Sequence, residues 1–134
     1  MSFYPDYYKS IIEHCVDLYK TTGSSDKKEA ILRNIVSRSY YTCFLHCRDK
    51  LKQSGMSFNA ANIDSHEEVI RELPQGLKNQ LNQLKKFRRK ADYDTQTVLS
   101  FPFSGNKGRG SIVLRSPEDF LNKVKTILSY DCTT

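Results

Sequence analysis

Residues 24–55 read SSDKKEAILRNIVSRSYYTCFLHCRDKLKQSG, and this stretch decides the fold. The spacing predicts one helix that starts after Ser24-Ser25-Asp26 and runs to about Ser54-Gly55, with no Pro or Gly inside. Its apolar positions cover two faces. Ile31, Ile35 and Leu45 lie on one, and Leu32, Val36, Tyr40, Cys43 and Cys47 on the other. A helix apolar over that much of its circumference packs on several sides and is the central element of its fold. Arg38 falls on the Ile31 stripe beside Tyr40 and Tyr41, which predicts a buried structural or subunit-facing arginine.

Four more helices surround it by the same reasoning. The first opens near Pro5, tolerated at a first helical position because its missing N–H needs no partner there. It ends at Thr21-Thr22-Gly23. Ser65 and Glu68 have capping-box spacing and open a short third helix to Leu73, stopped by Pro74. His66 then reads as an exposed helix-start residue. Gly76 begins the fourth helix, with the stripe Leu77, Leu81, Leu84, Arg88 and Ala91. Ser116, Pro117, Glu118 and Asp119 supply the cap, first position and acidic first turn of the last. Between the last two, β-prone runs flank the Gly-rich turn 104–110 and read as a short hairpin or a flexible basic loop near 98–114. The expectation is an all-α, antiparallel four- to five-helix bundle, one domain over residues 1–134.

Composition excludes several classes. The chain has 134 residues, 38% hydrophobic and 27% charged, which suits one globular domain. No apolar run reaches the length of a membrane span. The stretch Met1 to Lys9 has no apolar signal core, so the four cysteines of the chain are expected to be reduced thiols of a cytoplasmic protein. The net charge of +6 is concentrated: residues 71–115 carry ten Lys/Arg and three Asp/Glu. A local positive field of that kind suits an anionic partner, nucleic acid foremost.

Arg88 is the sharpest anomaly, because it occupies an apolar stripe where a guanidinium needs a partner. Asp92 at i+4 can reach it, and Tyr93 follows. One reading is an intrahelical ion pair; the other is a cation held in a cleft facing an anion or a second subunit. Lys85, Lys86, Arg89 and Lys90 surround it and suit phosphate-backbone contacts, with Lys107 and Arg109 of the Gly-rich loop as further candidates. Cys43, His46 and Cys47 lie close in sequence, yet the spacings of zinc knuckles are missing, so neither metal nor cofactor is expected. Motifs of nucleophilic or metal-assisted hydrolysis are absent as well.

Three blocks, in order, resemble the HEPN superfamily (higher eukaryotes and prokaryotes nucleotide-binding). They are the segment from Ser37 to Arg48 with its Tyr40-Tyr41 pair, the His66-led short helix, and Arg88-Arg89-Lys90-Ala91-Asp92-Tyr93, which looks like the R-x-x-A-D-Y block of one subgroup. The resemblance implies a helical bundle, often a homodimer. Many members are metal-independent ribonucleases of toxin–antitoxin or antiviral defence systems; others are non-catalytic partners of nucleotidyltransferases or binding modules. Arg88 corresponds to the arginine of the family's R-x(4–6)-H signature. No histidine follows it, and Asp92-Tyr93 stands in that place. The expectation is an RNA-interacting protein of this type. If it is catalytic, Arg88 would act with Asp92, Tyr93 and a histidine from another helix, His46 being the candidate. The alternative is a non-catalytic nucleic-acid-, nucleotide- or protein-binding subunit of a larger defence complex.

Overall fold

The computed structural model describes residues 4–58, 65–105 and 112–132. It is an all-α bundle of α1 (Pro5–Thr21), α2 (Ser25–Gln53), α3 (Ser65–Arg71), α4 (Gln75–Tyr93) and α5 (Pro117–Leu128), with a two-stranded ribbon of β1 (Phe103–Ser104) and β2 (Val113–Leu114). Among the described residues no helix is long and apolar enough to cross a membrane.

Helix α2 packs against all four other helices, the position its two apolar faces demand. Ser24 caps it, its side chain accepting the Lys27 N–H at 3.4 Å. The helix therefore begins two residues earlier than the sequence suggests, with Asp26 inside the positive first turn. At the other end Gly55 takes φ of +106°, where a side chain would be strained. The Met56 and Gly55 N–H groups turn back to the Leu51 and Lys52 carbonyls. This left-handed cap satisfies carbonyls that the helix itself cannot.

Helix α3 stops at Arg71 rather than Leu73, and α4 starts at Gln75, one residue before the expected Gly76. Pro74 explains the first difference, because the residue before a proline is driven out of helical geometry. The capping box drawn for Ser65 and Glu68 involves the Ser65 side chain, which lies outside the described residues. Ser116 caps α5 as expected, accepting from Asp119 N–H at 3.3 Å.

The hairpin base is pinned to α4. Phe103 pairs with Leu114 and Ser104 with Val113 in antiparallel register. Buried Gln83 accepts the Ile112 N–H at 2.7 Å. A Cβ on Gly105 would overlap the Gln83 side chain, which would have to swing away from the Ile112 N–H to make room. Below the ribbon, Phe87, Phe101, Phe103 and Phe120 meet edge-on or tilted and join it to the core.

Candidate functional site

Helix α4 brings Arg88 inward, as its stripe position requires. The residue is 7% exposed, buried beside Leu84 and Ala91 of the same face. Its guanidinium carbon lies 5.3 Å from the ring centroid of Tyr40, 5.3 Å from that of Tyr41 and 5.8 Å from that of Tyr93. Asp92 approaches Nη1 at 3.7 Å, too long for a hydrogen bond, and Tyr93 Oη lies at 3.5 Å. Asp92 is also held by Ser37, whose Oγ donates to Oδ2 at 3.3 Å. The buried Nε of Arg88 has no hydrogen-bond partner.

The i,i+4 ion pair with Asp92 is present, as a single long contact rather than a bidentate one. Here the guanidinium is desolvated among three rings and its pairing is incomplete. The ring quadrupoles offset part of the desolvation, about 0.5–2 kcal/mol per contact. An unanswered donor in such a place costs about 1–3 kcal/mol.

Tyr40 links this cation to a histidine that the sequence placed in the resemblance but not among the candidate catalytic residues. Its Oη lies 2.7 Å from Nδ1 of His66. The imidazole lies flat on Phe44, with centroids 4.0 Å apart and planes 6° from parallel. It also meets the Tyr41 ring edge-on. His66 is thus half-buried in an aromatic cradle rather than an exposed helix-start residue. Burial first, then the positive charges of Lys85, Arg88, Arg48 and Arg89, hold it below the usual histidine range. Burial likewise pushes the Tyr40 hydroxyl up, and Arg88 opposes this only in part. A signal was present: Tyr40 and Phe44 are one turn apart and form a flat aromatic wall on α2. What it stacks against is a long-range matter that no local pattern contains.

The basic run divides around this centre. Lys85, Lys86 and Arg89 line a concavity of about 420 Å³ between α3 and α4, together with Arg71, Lys78 and Glu67. Lys85 is partly buried there, and burial followed by the charge of Arg89 lowers its pKa. Lys86 and Lys90 border a second concavity of about 360 Å³ against the hairpin base. Tyr93 stands 74% exposed at the rim. Lys107 and Arg109 lie outside the described residues.

Two placements depart from expectation. Arg38 is exposed, because the Ile31–Arg38–Leu45 stripe runs along the margin of the α2 interface and its flanking members are only half-buried. His46 is buried away from the Arg88 cluster, in a hollow shared with Lys50, Tyr130 and Cys132. Its neighbour Cys132 contacts Cys47, sulfur to sulfur, at 3.4 Å. No contact joins His46 to Arg88 among the described residues. Those residues also contain no group of three or more His, Cys, Asp or Glu side chains able to hold a metal.

The end of α4 is fixed by an arginine that sequence reasoning did not single out. Arg33 Nη1 donates to the carbonyls of Ala91 at 2.8 Å and Asp94 at 2.9 Å, and Nη2 to that of Thr97 at 2.8 Å. Glu29 pairs with Nη2 at 2.8 Å. Arg33 therefore closes the C-terminal carbonyls of the helix that carries Arg88, Asp92 and Tyr93. No family model, curated protein or solved structure matches the chain.

Proposed function

We propose that the protein is an RNA-interacting domain of HEPN type, in which Arg88 receives a phosphate of the chain and the α3–α4 concavity carries the flanking phosphates. One observation carries this reading: a guanidinium held among Tyr40, Tyr41 and Tyr93 whose carboxylate partner, Asp92, stays 3.7 Å away. Five cations and one carboxylate in the adjoining concavity support it. Service in a prokaryotic defence or toxin–antitoxin system, as a homodimer or beside a nucleotidyltransferase, belongs to the same proposal and rests on the resemblance. The test is binding of a labelled single-stranded RNA by the wild type, Arg88→Met and, as control, Lys125→Ala. Loss of about tenfold or more in affinity for Arg88→Met alone, about 1.4 kcal/mol, supports the reading. Equal affinities for all three proteins overturn it.

His66 favours a catalytic form of the same proposal. If Nδ1–H faces Tyr40 Oη, Nε2 presents a lone pair at neutral pH. The 2′-oxygen of RNA would attack the adjacent phosphorus as its proton passes to His66 Nε2. The O2′–P bond forms, the P–O5′ bond breaks, and the leaving 5′-oxygen takes a proton from water. Arg88 would meet the charge that builds on the phosphoryl oxygens. Cleavage of an RNA pool in EDTA that vanishes in His66→Ala, while RNA binding stays, is the expected result. An intact pool with the wild-type protein leaves the binding function and removes the catalytic one.

A further inference from the structure

A further hollow is bordered by Tyr41. Tyr8, Asn34, Ser37, Arg38 and Tyr41 enclose about 220 Å³ between α1 and α2. Its chemistry differs from that of the α3–α4 concavity, because two aromatic rings replace the cluster of cations. Tyr8 is 40% exposed on α1 and Tyr41 half-buried on α2. Asn34 Nδ2 donates to the Ala30 carbonyl at 3.0 Å, which leaves Oδ1 as an acceptor. Arg38 makes no ion pair among the described residues and supplies donors. The Ser37 hydroxyl is occupied by Asp92. Tyr41 is common to both places, since its ring also contacts the Arg88 guanidinium.

Stacking surfaces bordered by one free acceptor and one free donor fork are what an unpaired base requires. Every base has a π-face, and its edge offers both acceptors and N–H donors. An aliphatic ligand would leave Asn34 and Arg38 unanswered. A bare phosphate would leave the rings unused. We propose that this hollow is a subsite for one nucleobase of single-stranded RNA, adjacent to the phosphate held by Arg88. The inference rests on the phosphate reading of Arg88 and adds to it a base-dependent component.

The experiment uses the full chain and two labelled oligomers of equal length and charge, one a mixed-sequence single-stranded RNA and the other an abasic ribose-phosphate chain. The wild type is expected to bind the base-bearing oligomer about tenfold more tightly, in keeping with stacking of a single base. Tyr8→Ala and Asn34→Ala, both at exposed positions, are expected to shrink that ratio to about twofold or less while abasic binding stays as it was. Tyr8→Phe keeps the ring and should keep the ratio. Arg88→Met should weaken both oligomers alike. Equal wild-type binding of the two oligomers overturns the subsite and leaves Arg88 as the phosphate contact. A base preference that survives in Tyr8→Ala and Asn34→Ala overturns it as well. Failure of the wild type to bind either oligomer removes both readings. If Tyr8→Ala instead converts a dimer to a monomer with the ratio intact, the hollow is a subunit seam.

Discussion

Arg88 reaches the interior with its charge only partly answered, and this fixes what its replacement should do. Met is of similar length and carries neither the desolvated charge nor the unpaired donor. Asp92 is exposed enough to be hydrated alone. Arg88→Met is therefore expected to leave the urea midpoint unchanged or to raise it, even as RNA binding falls. A loss of about 3 kcal/mol or more would instead mark a structural ion pair, since removing one partner of a truly buried pair has that cost. His66 gives the second expectation at this scale. Its folded pKa lies below its unfolded one, so protonation opposes folding. Stability should hold above about pH 6.5 and decline as pH falls from there through the folded value. Thermal midpoints followed from about pH 7.5 to 5 should show this decline in the wild type and less of it in His66→Gln. Identical slopes would remove His66 from the account. The inward direction of Arg88 was legible from its stripe. The cradle of His66 was not, because Tyr40 and Phe44 lie more than twenty residues away in sequence, and only the meeting of α2 with α3 brings them to it.

At the scale of elements, the ends of the helices were largely written locally. Ser24, Pro5, Ser116 and Pro117 act through neighbours within one turn, and the structure uses all four at helix starts. The ties between elements were silent in the sequence, because each joins a polar side chain to backbone far along the chain. Arg33 is the clearest case. It pairs with Glu29 at i,i+4, and it also binds carbonyls of residues 90, 91, 94 and 97. Arg33→Ala should free those carbonyls and cost about 2 kcal/mol, read as a shift of the urea midpoint with the slope unchanged. It should weaken RNA binding too, because Arg88 and Tyr93 ride on the helix end that comes loose. Stability lost with affinity intact would show that this end of α4 takes no part in binding. Gln83 is the corresponding tie for the hairpin. Gly105→Ala forces its amide away from the Ile112 N–H and should cost about 1–2 kcal/mol. A fully stable variant would mean that the ribbon can leave α4 freely.

The whole molecule packs its other helices around α2 and concentrates its excess positive charge on α4 and the segment beyond it. With hydrophobic residues at only 38%, the core stays closed because one helix serves as the common wall for four others. That arrangement was legible from residues 24–55 alone, since no other helix shows two apolar faces. The geometry of the charge was less so: a run of five cations in six positions points in most directions, and only the packed bundle turns Arg88 in and sorts the rest between two concavities. Such a surface predicts how binding responds to salt. If four of the groove cations each displace a counterion from single-stranded RNA, log K should fall with log salt at a slope of about −3. The double variant Lys85→Gln with Arg89→Gln should reduce that slope to about −1.5 without changing the fold. Arg88 acts in a desolvated niche, where screening is weak, so Arg88→Met should lower affinity at every salt concentration more than it flattens the line. A slope near zero in the wild type would place the RNA elsewhere or nowhere. A slope that collapses in Arg88→Met but not in the groove variant would exchange the roles assigned to niche and groove.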